Sequence, residues 1–231
     1  MPGMSTDAGV PPQPRTPRPT IESLTVADDP QPWREAGFEV DGDRCRVGSI
    51  AIRLAGRDAG RGLVGWTLRG VDGADLDGLR TEVSDSRTAA GQPAPIHPNS
   101  VKTVDHVVAF TPDRARTVAA LEAAGLDCRR LRDEPTPAGG GFQAFFRLGE
   151  AILEVIEFPE GSRGAADRDA PARLWGLAFG VESLDRTAEV LGDRLGEPRD
   201  AVQPGRRIAT LRREAGLSPA IAFMTPGPGA A

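Results

Sequence analysis

Residues 104–125 read VDHVVAFTPDRARTVAALEAAG, a strand and a helix placed back to back. Val104 to Phe110 is an apolar run, rich in valine, broken only by Asp105 and His106, the composition of a strand inside a sheet. Thr111 then reads as a helix cap with Pro112 at the first helical position. Val118, Leu121 and Ala124 follow at helical spacing, and Gly125 ends the helix. Residues 128–131, 142–148 and 151–158 are β-rich, with breaks at Gly139-Gly140-Gly141 and Gly149. The predicted order is βαβββ.

The same plan recurs on both sides. Downstream, LWGLAFGV at 174–181 predicts a strand, a helix follows from Ser183 with Leu184, Ala188 and Leu191 on one face, and 207–212 and 220–224 predict further strands. Upstream, 21–26 alternates like a half-buried strand and 28–37 offers a short helix closed by a glycine. The segments 44–47, 49–54 and 63–71 are then β-rich, with Gly48, Gly56, Gly60 and Gly62 at the turns. Units that repeat one plan predict an α+β fold built by duplication, each module covering its neighbour's apolar face. The expected organisation is a proline-rich tail (1–19), an N-terminal βαβββ module (20–84), a linker with Pro93, Pro95 and Pro98 (85–102), a two-module domain (103–226) and a short tail (227–231).

Composition narrows the function classes. With 231 residues and 39% hydrophobic content the chain can bury a proper core. A net charge of -5 with both signs interspersed leaves no basic stripe for a phosphate backbone, so nucleic acid is not an expected partner. Apolar runs are far shorter than the roughly 20 residues that cross a bilayer. Cys45 and Cys128 are far apart and outside any CxxC spacing, which fits reduced thiols and predicts a cytoplasmic protein without membrane partners.

The strand opening VDHVV, the helix closing in Ala-Ala-Gly and the later strand ILEVI at 152–156 together resemble the vicinal oxygen chelate superfamily, which includes glyoxalases, bleomycin resistance proteins and extradiol dioxygenases. The resemblance covers 103–226. It implies that two βαβββ modules curl a mixed sheet into a cup around a divalent metal, with ligands from the first and last strands of each module. His106 and Glu154 match two of those positions, as metal ligands and catalytic residues; the other two fall on Gly176 and Ala222, which cannot ligate. In the N-terminal module, which looks degenerate, the matching positions hold Ser23 and Arg53. A catalytic metal generally takes three protein ligands, so His97, Gln143, Glu157 or a second subunit would have to complete the site.

Other candidates are substrate contacts. Trp175, Phe179 and Phe223 suit an apolar wall, with Trp66 seen as the counterpart of Trp175 in the first unit. Gln203 and Arg206, beside Arg207, suit a polar rim for an acidic group. His97 reads mainly as an exposed linker histidine. The function expected is a small-molecule-binding protein with an incomplete metal site, taking an apolar or acidic ligand in the cup. The alternatives are a divalent-metal-dependent lyase, isomerase or dioxygenase using His106 and Glu154 with a third ligand, and a metal-free lyase or isomerase with His106 as base. The apolar face of the N-terminal module predicts packing on the cup or a symmetric homodimer.

Overall fold

The computed structural model describes residues 18–85, 94–134, 141–162 and 165–227. The readings made on 1–17, 86–93, 139–140 and 228–231 lie outside them.

The N-terminal half comprises β1 (Thr20–Val26), α1 (Pro30–Glu35), β2 (Val40–Asp41), β3 (Arg44–Val47), β4 (Ile50–Leu54), β5 (Leu63–Arg69), β6 (Asp75–Leu76) and β7 (Leu79–Ser84). They form one sheet in the order β2-β3-β4-β1-β5-β7-β6. The C-terminal half comprises β8 (Val101–Thr111), α2 (Arg114–Ala123), β9 (Cys128–Arg132), β10 (Phe142–Leu148), β11 (Ala151–Glu157), β12 (Arg173–Val181), α3 (Leu184–Leu191), β13 (Arg199–Asp200), β14 (Arg207–Thr210) and β15 (Ala220–Met224). Its sheet runs β13-β14-β15-β12-β8-β11-β10-β9. In this half β8 pairs in parallel with β11 and antiparallel with β12, and β12 pairs in parallel with β15. Two βαβββ modules therefore meet along β8 and β12, as the glyoxalase-like plan requires.

The N-terminal sheet holds more than the single module expected. β1 pairs in parallel with β4 and antiparallel with β5, and β5 pairs in parallel with β7. The module is β1 to β4; β5, expected to be its fourth strand, instead opens a second, abbreviated module of three strands without a helix. The short strands β2, β6 and β13, and the polar β7, were not foreseen.

Local rules explain the helices. Asp113, not Thr111, caps α2: its side chain accepts from Arg116 N, and Pro112 lies outside the helix. The Thr111 hydroxyl instead accepts from Asp113 N. Ser183 caps α3 as expected, accepting from Arg186 N. Among the described residues no helix is long and apolar enough to cross a membrane.

One contiguous hydrophobic cluster spans both sheets. Trp33 and Phe38 of the N-terminal half pack on Phe179, with ring centroids 6.3 and 5.1 Å away, and Phe38 also meets Phe223. Asp28, fully buried, accepts from the Trp33 indole at 3.0 Å and from Ser218 N, tying the halves together by polar contacts. The N-terminal half thus covers the C-terminal sheet within one chain. His97 departs from the reading as an exposed linker residue: it is 3% exposed, its Nδ1 accepts from Glu39 N and its Nε2–H donates to Arg46 O, both at 3.0 Å.

Candidate functional site

Side chains alternate between the faces of a strand, so the register of the C-terminal sheet decides which residues share its hollow face. His106 lies beside Ile152 on β11 and opposite Ala178 on β12; Val108 lies beside Glu154 and opposite Gly176. His106 and Glu154 therefore share a face. Phe179 and Phe223 pair with each other and fall on the other one, at 0% exposure among Trp33 and Phe38.

A bulge then alters the alternation. Ala178 pairs with His106 and Phe179 with Val104, so Asp105 is an extra residue in β8. Such an insertion re-aims a side chain. Asp105 Oδ2 lies 2.9 Å from His106 Nδ1, and Asp105 Oδ1 accepts from Arg206 Nη2 at 2.5 Å. On the far side of the imidazole, Nε2 is 3.5 Å from Glu154 Oε2, while Glu154 Oε1 accepts a short hydrogen bond from Gln143 Nε2. The result is a continuous array: Arg206, Asp105, His106, Glu154, Gln143.

The environment sets the charges in this array. Burial pushes the Asp105 carboxyl up, but hydrogen bonds from His106 and Arg206, with their charges, outweigh it and hold the group at about 2. Burial is also the largest influence on Glu154, and there it prevails, raising the carboxyl above its ordinary value despite His106 and Gln143. An ionised Asp105 fixes the Nδ1–H tautomer of His106 and leaves Nε2 to Glu154.

The array floors a hollow with two adjoining lobes, of about 590 and 840 Å³, both lined by His106, Glu154, Phe145, Ile152 and Gln203. Arg206 and Asp105 border the smaller lobe. Gln143, Met224 and Ile208 border the larger. Of the residues expected to touch a ligand, His106, Glu154, Gln203 and Arg206 line the hollow, and Arg206 is committed to Asp105. Trp175, Phe179 and Phe223 do not line it. Trp175, 40% exposed, stacks on Phe110 at 4.5 Å. Trp66, 2% exposed, bonds Thr81 and by register corresponds to Leu177, not to Trp175. Glu157 accepts from Arg114 N at the start of α2, and His97 belongs to the core contact described above. Asp105 was missed because strict alternation would turn it away from His106.

The positions facing His106 and Glu154 across the seam lack donors. Gly176, Ala178, Ala220 and Ala222 occupy them, and a Cβ on Gly176 would stand 2.7 Å from Ala220 O. Among the described residues no group of three His, Cys, Asp or Glu side chains is placed to hold a metal ion. His106 Nδ1 is engaged by Asp105, and the guanidinium of Arg206 stands in the same array. This donor set does not fit a catalytic divalent metal, which takes three protein ligands.

No family model matches the chain, and no curated protein matches it. Solved structures similar to it include methylmalonyl-CoA epimerase from Mycobacterium tuberculosis, 21% identical over 56% of this chain and 91% of that one with a TM-score of 0.46. A Streptomyces coelicolor methylmalonyl-CoA epimerase variant in complex with 2-nitronate-propionyl-CoA is 22% identical over 56% and 97%, TM-score 0.46. A hypothetical protein from Bacillus halodurans is 21% identical over 56% and 97%, TM-score 0.44. The glyoxalase-like description of the fold rests on the strand order and register of this chain itself.

Proposed function

We propose that the protein is a metal-independent isomerase or lyase that moves protons on a small molecule held in the hollow, with His106 and Glu154 as the exchanging groups. The observation that carries this reading is the unbroken array from Arg206 to Gln143 opening on the hollow. Asp105 accepts from Nδ1–H and so orients the imidazole with its Nε2 turned to Glu154 and the hollow. In the neutral imidazole, Nε2 takes a proton from a substrate carbon while protonated Glu154 gives its own to the substrate oxygen on which charge develops. The imidazolium then returns its proton to the neighbouring carbon while the Glu154 carboxylate takes one from the other hydroxyl of the enediol, which completes an isomerisation; in an elimination the enol oxygen gives its proton back to Glu154 as a group leaves the adjacent carbon with the bonding pair and takes the proton held by His106.

The test is solvent deuterium uptake, followed by NMR, across a panel of small hydroxy and oxo acids and their phosphate esters. At least one member is expected to exchange, and His106→Ala and Glu154→Gln to slow that exchange by about 10²–10⁴-fold, with chelator leaving the rate unchanged. Exchange that survives His106→Ala, or that stops with chelator, overturns the reading. Sequestration without chemistry is the second reading, favoured by the apolar lining from Phe145, Ile152, Ile208 and Met224. Saturable binding of panel members with no deuterium uptake by any of them would establish it instead.

A further inference from the structure

The two ends of the eight-stranded sheet supply cations outside the hydrogen-bonded array, one of which, Arg132, also acts on Glu154 through its charge. Arg130 and Arg132 stand two residues apart on β9, on one face, opposite Phe145 and Gln143 of β10. Arg199 lies on β13, at the other edge. In a flat sheet of eight strands those edges would be about 30 Å apart, yet the curl brings all three arginines to the rim of the larger lobe.

Among the described residues none of the three guanidinium groups has a hydrogen-bond or ion-pair partner. Arg114, Arg116 and Arg206, by contrast, are each paired with an aspartate. The carboxylates on this lobe are Asp200, which is exposed, and Glu154, which burial drives towards its neutral form and which Gln143 engages.

Gln143 is 6% exposed, and its Oε1 has no hydrogen-bond partner. A buried acceptor left unmet is destabilising, so a ligand that donates to it gains what the free protein lacks.

We infer that the larger lobe is an oxyanion subsite: Arg130, Arg132 and Arg199 take a phosphate or carboxylate of the ligand, and a hydroxyl or N–H of the same molecule donates to Gln143 Oε1. Planar guanidinium forks suit both kinds of anion. Because Glu154 borders both lobes, the ligand is a small hydroxylated or aminated acid or phosphate ester with its reacting carbon at His106 and its anion at the sheet edges. This assignment of substrate class rests on the proton-transfer reading.

Calorimetric titration with glycerol 3-phosphate, inorganic phosphate and glycerol tests it. The expected order is glycerol 3-phosphate tighter than phosphate, with no binding of glycerol and with affinities that fall as salt rises. R130A/R132A and, separately, R199A are expected to weaken both phosphate ligands at least tenfold while circular dichroism and the unliganded melting point stay unchanged. Should the double variant misfold, the single edge variant R199A decides. Gln143→Met is expected to remove the preference for glycerol 3-phosphate over phosphate. Wild-type affinity in the arginine variants, equal binding of glycerol, or no binding of either phosphate by the wild type overturns the subsite. Glu154→Gln separates the two proposals: it keeps the binding if the subsite is right and loses deuterium exchange if the proton-transfer reading is right.

Discussion

In the seven-stranded sheet Ser23 lies opposite Thr67 and beside Ala51; in the eight-stranded sheet His106 lies opposite Ala178 and beside Ile152. The correspondence continues along both seams. Glu22 is an extra residue in β1 where Asp105 is extra in β8, and each is paired with an arginine, Glu22 with Arg69 at 3.3 Å and Asp105 with Arg206. Val64 is the extra residue in β5 where Trp175 is extra in β12, each followed by a glycine whose Cβ would crowd a carbonyl of the next strand, Arg80 O for Gly65 and Ala220 O for Gly176. The two halves thus share bulges, an acid–arginine pair and tight glycines. They differ at the position after the acid, Ser23 against His106, and at Arg53 against Glu154. Backbone plan and side-chain equipment are therefore separable here: two substitutions distinguish a face with a histidine–glutamate pair from one without.

The strongest challenge to this comparison is to ask whether the halves are one folding unit. Phe179→Ala removes the ring on which Trp33 and Phe38 pack and is expected to cost about 3–5 kcal/mol. Urea unfolding followed by tryptophan fluorescence and by far-ultraviolet circular dichroism should still give one coincident transition, shifted to lower urea. Two separated transitions would show that each sheet stands alone.

A smaller effect follows from His97, which joins the segment before β8 to the N-terminal sheet. Burial is the main cause holding this imidazole below its ordinary 6.5, and the Arg46 carbonyl only partly opposes it. Below about that pH the unfolded chain takes up a proton that the folded chain refuses. Stability is therefore expected to fall as pH drops from 6.5 towards the lowered folded value, by no more than about 1.4 kcal/mol per pH unit. His97→Gln should flatten that slope in denaturation measured between pH 7 and 5; an unchanged slope would remove His97 from the account. Asp105 acts later, its contribution fading as pH falls from 3.8 through about 2.

The mildest perturbation sharpens the residue correspondence itself. The double variant S23H/R53E, on a half-exposed and an exposed position, is expected to change stability by less than about 1 kcal/mol. A crystal structure of the variant should place the introduced imidazole against Glu22 as His106 lies against Asp105. An imidazole turned away from Glu22 would mean that the shared register does not produce a shared geometry.

Much of the C-terminal half was legible because β8 and β12 are long apolar strands and both helices are preceded by capping residue types. The abbreviated module of the N-terminal half was not: β6 and β7 span DLDGLRTEVS, in which charged residues outnumber apolar ones, and they are strands because β5 offers them a pairing edge. His106 and Glu154 could be chosen by type and spacing, and they do share a hollow. Asp105 could not be, since its direction depends on a bulge created by pairing with β12. Phe179 was misplaced for a related reason, because it is the odd-numbered neighbour of Ala178 and turns to the core. Arg130 and Arg132 carry no such signal in the sequence, because only the curl of the sheet sets them across from Arg199.

Those edge arginines have one more effect. Three of the four outer strands in the described chain, β2, β6 and β13, are two residues long, too short to template another chain. β9 alone presents five residues with an open row of backbone groups, and three of the five, Arg129, Arg130 and Arg132, are cations. A second molecule adding a strand there would have to lay its own arginines alongside these, and like charges at that spacing repel. The residues assigned to hold an anion would thereby also keep this protein from polymerising along its longest exposed border.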